Sequence, residues 1–344
     1  MSPSSQSLFD RVATVLQDPF DGLLAGSIFG TADPRAVAER VERFCRTHLG
    51  HQVTSCQEFT QSVGAVFVLG LESGERIVLK FHSLGQARLG TAGTLPALTT
   101  VYEVQGQLAR LGLPCAAVLH PPVAFEGGAV ATMAFLDGSG ADPASEPGVR
   151  RAMAEMLALI SRAAMRSGDT PALPVSRLPD ELWPVPHNVL FDLTAPGGEW
   201  IDERARAARS VLSSESPAPI PFHTDFSAAN VRVRAGRVCA IYDMDSVALV
   251  DEMRGLASTA VHHTYTGAER EPATSREQAR AFVADYEVAR GAALTAIERE
   301  RLDAAAIYAM AYTARCEHSG DRSGARLEGS MRALLRNAPQ TGYV

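Results

Sequence analysis

Residues 222–245, FHTDFSAANVRVRAGRVCAIYDMD, concentrate the side chains whose types and spacing suit chemistry. His223, Asp225 and Asn230 share a polar segment that one large apolar residue, Phe226, interrupts. Val231-Arg232-Val233-Arg234 then alternates apolar and basic residues, as a half-buried strand does. Ala235-Gly236 signals a turn, and Val238-Cys239-Ala240-Ile241-Tyr242 reads as a second, more buried strand. Asp243 follows at once, and Asp245 soon after. In an antiparallel hairpin the residue before the first strand and the residue after the second share one end, so Asn230 and Asp243 are expected to be neighbours. An amide oxygen beside a carboxylate, with Asp225 just upstream, makes an oxygen-rich pocket. It suits Mg²⁺, which takes one or two carboxylates together with waters and substrate phosphates. Asp225 is then available as base or orienter for a hydroxyl nucleophile.

A second feature is Lys80, the only lysine among the 32 Lys and Arg residues. It lies in Ile77-Val78-Leu79-Lys80-Phe81, a run patterned for burial. An ammonium in an apolar strand is costly unless its charge is paired. A compact ammonium acts as a point charge on phosphate oxygens, where a planar guanidinium fits less well. The competing reading is a solvent-facing lysine on an edge strand.

The series His223-x-Asp225-x4-Asn230, a hairpin, and Ile241-Tyr242-Asp243 resembles the catalytic segment of the aminoglycoside phosphotransferase family, over about residues 50–260. The resemblance implies an α+β, two-lobed, protein-kinase-like fold: an N-lobe antiparallel sheet with a helix, and a mainly helical C-lobe. It implies Asp225 as the catalytic Asp, His223 bracing its loop, and Asn230 and Asp243 as Mg²⁺ ligands. Lys80 would contact the α- and β-phosphates of ATP or GTP. By the same resemblance Glu103 is the helix carboxylate paired with Lys80, against the alternative of a solvated Glu. Ser62 and Gly64 would lie closest to phosphate, against the alternative of a plain hairpin turn. The backbone of Ala134 and Leu136 would meet the adenine edge. Two positions depart from the family pattern. Thr224 stands where Gly is usual, and the helix after the metal site reads Asp251-Glu252-Met253-Arg254-Gly255-Leu256-Ala257, where the family often carries an Asp.

The elements that must position these residues follow from periodicity and turn residues. Residues 1–34 read as a helical N-terminal extension, 35–137 as a nucleotide-binding N-lobe and 138–344 as a catalytic and substrate-binding C-lobe. Apolar spacing predicts helices over 36–49 and 99–111, with strands at 53–59, 65–71, 76–81, 116–119, 123–125 and 129–135. Helices are expected over 149–165, 200–212, 256–264, 275–290, 297–316 and 326–335. The long connection at 83–98 is a candidate cover for the nucleotide. The proline-rich insertion at 167–198, which includes Trp183 and His187, is by resemblance part of the acceptor pocket. Asp251, Glu252, His262 and His263 are candidates to line a cationic substrate site, each weighed against a structural role.

A net charge of −7 argues against non-specific nucleic-acid binding. No apolar stretch approaches the length of a membrane span, and residues 1–10 lack the pattern of a signal peptide. Five scattered cysteines with no CxxC pair fit free thiols in a reducing compartment. These features predict a cytoplasmic enzyme with no membrane partner, a monomer or homodimer. The expected activity is phosphorylation of a small-molecule hydroxyl, first an aminoglycoside or other hydroxylated antibiotic. The alternatives are a kinase of a choline-, homoserine- or sugar-like metabolite, and a non-catalytic nucleotide-binding relic. A protein kinase is disfavoured because no segment after Asp243 has room for a peptide-docking activation loop.

Overall fold

The computed structural model describes residues 6–84, 93–141, 143–166, 173–186, 191–214, 217–267, 271–321, 328–339 and 342–344. They form two compact units, Met1–Gly106 with Ala116–Leu136, and Gln107–Cys115 with Asp137–Val344.

The first unit is built on β1 (Val53–Gln61), β2 (Gly64–Leu71), β3 (Arg76–Ser83), β4 (Val118–Phe125) and β5 (Gly128–Ala134), in the order β1-β2-β3-β5-β4. Every neighbouring pair is antiparallel. The expected strands at 116–119 and 123–125 are one strand. β4 runs through Pro121 and Pro122 with register shifts on either side of His120, which it tolerates because it is an edge strand with no neighbour needing those N–H groups. Glu126 and Gly127, at φ 45° and 84°, close the β4–β5 hairpin in the left-handed geometry that matches strand twist.

Both faces of this sheet are covered. On one lies α4 (Leu95–Arg110), whose Leu98 and Tyr102 pack with Val68, Val78 and Met133. It starts earlier than the expected 99, since Pro96 fits a first helical turn; residues 85–92 of the preceding connection lie outside the described residues. On the other face lie α1 (Leu8–Val15), α2 (Pro19–Phe29) and α3 (Pro34–Phe44), with a π-helical turn over Cys45–Leu49. Their Leu8, Val12, Phe29, Val41 and Phe44 form one core with Phe59, Phe67 and Phe81. Residues 8–29 are therefore two helices that complete the hydrophobic core of this unit.

The second unit is mainly helical: α5 (Pro147–Arg166), α6 (Glu199–Leu212), α7 (Glu252–His262), α8 (Arg276–Arg290), α9 (Ala296–Gly320) and α10 (Met331–Asn337). α5 packs on α8, and α9 on α6, α7 and α10. α7 starts before the expected 256 because the Asp251 side chain accepts the Met253 N–H at 2.9 Å and caps it. Two small sheets complete the unit. β6 (Ser139–Gly140), β8 (Val231–Arg234) and β9 (Arg237–Ile241) form one, and β7 (Ile220–His223) pairs with β10 (Val247–Val250) in the other.

Candidate active site

The β8–β9 hairpin expected from the sequence forms. A register shift between Arg232 and Val233, not expected from the sequence, sets Val231 opposite Ile241, and the Tyr242 N–H donates to the Asn230 carbonyl at 2.8 Å. Its turn is Ala235-Gly236, at φ 50° and 73°. Asn230 and Asp243 thus leave the hairpin at the same end. Asp243 is itself at φ 57°, a left-handed conformation that Asp tolerates better than most residues. Ser246 holds it there: its Oγ donates to Asp243 Oδ2 at 2.7 Å and its N–H to the Asp243 carbonyl at 2.9 Å.

The Asp225 loop is tied to this hairpin through His223, whose ring is wholly buried. His223 Nε2 lies 3.0 Å from the Tyr242 carbonyl, which can only accept, so Nε2 carries the proton. Nδ1 is then free to accept the Asp225 N–H at 3.3 Å. Asn230 Nδ2 donates to the Asp225 carbonyl at 2.9 Å and to its Oδ2 at 3.1 Å. The Asn230 amide oxygen is therefore the atom left for a cation. One amide oxygen with the Asp243 carboxylate is a hard donor pair that fits Mg²⁺, an ion that keeps several waters. No cluster of three or more His, Cys, Asp or Glu arranged for a metal occurs among the described residues.

The Asp225 side chain reaches solvent, yet its carboxyl is held above the usual carboxylate range. Desolvation is the main cause and the Asp243 charge adds to it, while His223, His262 and the Asn230 hydrogen bond oppose it. A raised pKa makes Asp225 a better proton acceptor for a hydroxyl.

Three further residues hold the loop through bonds that the sequence did not indicate. The Thr224 N–H and Oγ1 both donate to the Ser246 carbonyl, at 3.0 and 2.8 Å. Ala228 N–H donates to the His263 carbonyl at 3.0 Å, and Ala229 N–H to the Tyr265 carbonyl at 2.8 Å. Thr224, in place of the usual Gly, thus latches the loop to β10. Within α7, Gly255 has no room for a side chain, because a Cβ there would lie 2.6 Å from the Phe222 ring.

The candidate cationic-substrate residues are engaged in the fold. Asp251 caps α7 and pairs with buried Arg301. Glu252 accepts the Tyr286 hydroxyl at 3.0 Å and faces Arg290 at 3.3 Å. His262 Nδ1 donates to the Ser258 carbonyl, and its Nε2 lies 2.9 Å from Thr313 Oγ1. Burial of His263 pushes its pKa down to about 4. In the insertion, Trp183 stacks on Tyr308 at 5.8 Å and donates to Asp202 at 3.1 Å, which fastens the segment to α6 and α9. His187 lies outside the described residues.

In the first unit, Lys80 is buried on β3 between Val66 and Ala131 of its neighbouring strands. Gly64 meets it directly. A Cβ at Gly64 would lie 2.5 Å from the Phe81 carbonyl oxygen and 3.8 Å from Lys80 Cε, so only glycine lets the start of β2 pass so close. Ser62 lies in the turn just before, its N–H on the Gly64 carbonyl at 2.9 Å. The expected ion pair between Glu103 and Lys80 does not form: Glu103 is exposed on α4 and makes no ion pair among the described residues. Its neighbours Tyr102 and Gln105 are the buried ones. Tyr102 bonds His82 at 2.9 Å, and Gln105 Nε2 donates to the Ala116 carbonyl at 2.6 Å. Ala134 N–H donates to the Ala117 carbonyl at 2.9 Å, so Ala134 can offer a ligand only its carbonyl.

Comparison with known proteins follows the same lines. The chain matches the model of the phosphotransferase enzyme family over residues 56–294. No curated protein matches its sequence. Among solved structures it resembles the amicoumacin kinase hAmiN in complex with AMP-PNP, Ca²⁺ and Ami, with a TM-score of 0.61 at 11% identity over 84% of this chain and 90% of that one. It also resembles spectinomycin phosphotransferase APH(9)-Ia in complex with ADP and spectinomycin, with a TM-score of 0.55 at 11% identity over 88% and 95% of the two chains. A third likeness is to a thermostable mutant of aminoglycoside phosphotransferase APH(4)-Ia, with a TM-score of 0.55 at 16% identity over 86% and 98%. These likenesses establish the kinase-like fold. With a family match that runs from β1 past the end of α8 and contains Lys80 and the whole Asp225–Asp243 segment, the chain belongs to the phosphotransferase enzyme family.

Proposed function

We propose that this protein transfers the γ-phosphoryl group of ATP or GTP to a hydroxyl of a small molecule, an aminoglycoside or other hydroxylated antibiotic being the first choice of acceptor. The observation that carries the reading is the set of bonds joining Asp225, Asn230 and the Asp243 end of one hairpin. Phosphoryl transfer depends on positioning and charge stabilisation more than on covalent participation by the protein, so a few fixed groups suffice.

In this reading Asp225 accepts the acceptor's hydroxyl proton as its oxygen bonds to the γ-phosphorus. The bond from that phosphorus to the bridging oxygen breaks, and the nucleoside diphosphate leaves. Asn230 and Asp243 would hold Mg²⁺, which when bound neutralises charge on the phosphates. His223 is a positioning residue that fixes the Asp225 backbone and the Tyr242 carbonyl together. Lys80 holds phosphate oxygens, Gly64 and Ser62 lie beside it, and the Ala134 carbonyl and Leu136 backbone meet the base. The first unit is thus the nucleotide-binding part, and the second carries the acceptor. The choice of an antibiotic acceptor is supported by the named substrates of proteins that share the fold.

Asp225→Ala tests the reading. With Mg²⁺ and either nucleotide, over a panel of aminoglycosides, other hydroxylated antibiotics and small alcohols, wild type should release nucleoside diphosphate and add one phosphoryl group to the acceptor by mass. The variant should lose turnover and still bind nucleotide. Turnover by Asp225→Ala at a rate near wild type would sink the assignment.

A further inference from the structure

We propose that Arg232 is an additional phosphate-binding residue, whose guanidinium takes the phosphate chain of the bound nucleotide at the Asn230–Asp243 end of the hairpin. The inference rests on the nucleotide reading above and adds a residue to it.

Val231 and Val233 point into the core, at 0% and 9% exposure. Alternation along β8 therefore turns Arg232 to the other face, where its side chain is half-buried. Three contacts fix it there. Nη1 donates to the Ala229 carbonyl at 3.0 Å and the Val231 carbonyl at 3.1 Å. Cζ sits 5.1 Å from the centre of the Tyr242 ring. The stem packs on Gly138, where a Cβ would lie 2.6 Å from Arg232 Cβ and 2.9 Å from Cys239 Sγ.

The surroundings say what this cation is for. Arg232 has no carboxylate partner among the described residues, and Nε and Nη2 carry none of its hydrogen bonds there. A half-buried guanidinium with unspent donors is suited to an anion, and Arg matches phosphate oxygens with two parallel bonds. Its placement selects the anion. Ala229 adjoins Asn230, and Tyr242 adjoins Asp243, so both anchors draw the guanidinium toward the expected metal end. Along a strand, two residues cover about 7 Å, which places the Arg232 backbone within one phosphate chain's reach of Asn230. On its other side Arg232 pairs with Gly140. That stretch is sewn to the hairpin by Arg234 on the Asp137 carbonyl at 2.9 Å and by Ser139 on the Val233 carbonyl at 2.9 Å.

The test compares wild type, Arg232→Leu, Arg232→Gln and Arg232→Lys. Affinities for Mg-ADP and for adenosine are measured by calorimetry at two salt concentrations, with thermal melts to confirm folding. Arg232→Leu should weaken Mg-ADP about tenfold, equivalent to about 1.4 kcal/mol. Its salt dependence should be shallower than that of wild type, and adenosine affinity should stay within about twofold. Arg232→Lys should retain part of the loss, and Arg232→Gln serves as the neutral variant if Leu melts early. Unchanged Mg-ADP affinity in both neutral variants overturns the proposal, as does an equal loss for adenosine, which would mark a role under the base or in the fold. Wild type that binds no Mg-ADP overturns the nucleotide reading as well, so the two failures are distinguishable.

Discussion

His223 makes two bonds with opposite polarity, and two substitutions separate them. An Asn side chain ends near the place of Nδ1, and a Gln side chain near the place of Nε2. In His223→Asn the amide oxygen can still accept the Asp225 N–H, but the Tyr242 carbonyl loses its donor. In His223→Gln the amide nitrogen can still donate to the Tyr242 carbonyl, and the Asp225 N–H loses its acceptor. Because the site is wholly buried, each loss leaves an orphaned backbone group worth about 1–3 kcal/mol. At about 1.4 kcal/mol per decade this is roughly five- to 150-fold in whichever function that group serves. The fold should survive, because the Thr224, Ala228 and Ala229 bonds still hold the loop. His223→Gln should lower kcat while the Mg²⁺ requirement stays near that of wild type. His223→Asn should raise the Mg²⁺ concentration needed for half-maximal rate, since Tyr242 adjoins Asp243. Turnover measured across a Mg²⁺ titration, with melting curves beside it, reads both. If both variants melt normally and shift the same parameter equally, or neither shifts anything beyond twofold, His223 is not the brace described.

Gly255→Ala should lower the melting temperature. Its Cβ would sit 2.6 Å from the buried Phe222 ring, well inside the 3.5–4.0 Å of ordinary carbon contacts, and such overpacking costs about 1–3 kcal/mol; an unchanged melt would show that the ring yields freely. Among the thiols, burial pushes Cys45, Cys56 and Cys316 up to about 12 and Cys115 up to about 11. Little reactive thiolate forms on these four at pH 8, Cys316 included although it is half-exposed, so Cys239, also half-exposed, is the thiol expected to react with an aromatic disulfide reagent in the native protein. Cys239→Ser should remove the fast phase, and rapid labelling of two or more thiols in wild type would contradict the burial.

The part of the site legible in sequence is the part made of local signals. The hairpin itself follows from alternation and a two-residue turn, so the shared end of Asn230 and Asp243 can be read from one contiguous segment; the register shift between Arg232 and Val233 that sets Val231 opposite Ile241 cannot. Lys80 stands out because one cation interrupts an apolar strand. Glu103 shows where that reasoning stops. Helical periodicity puts Val101, Val104, Leu108 and Leu111 on one face; the first three are buried, but Leu111, just past the end of α4, is exposed. Glu103 is expected from the family resemblance, and a step of one residue rotates a helix position by about 100°. The structure gives the inward polar places to Tyr102 and Gln105 instead. The contacts that hold the Asp225 loop were invisible for a different reason. Thr224, Ala228 and Ala229 all donate to backbone carbonyls, of Ser246, His263 and Tyr265, and a carbonyl is the same in every residue type.

The helices of residues 8–29, expected as part of an N-terminal extension, present the reverse case. β2 is buried along nearly its whole length, and in β3 every residue from Ile77 to His82 is buried. A strand with apolar side chains on both faces needs a layer on each side of its sheet. α4 supplies one layer. Phe67 and Phe81 face away from it and require another, and the only apolar helical segments left before the sheet are those at residues 8–44. Phe29 answers that requirement, its ring 6.3 Å from Phe67 and 5.2 Å from Phe81 in edge-on contact. The two helices expected as an extension, α1 and α2, are thus demanded, together with α3, by the strand that carries Lys80.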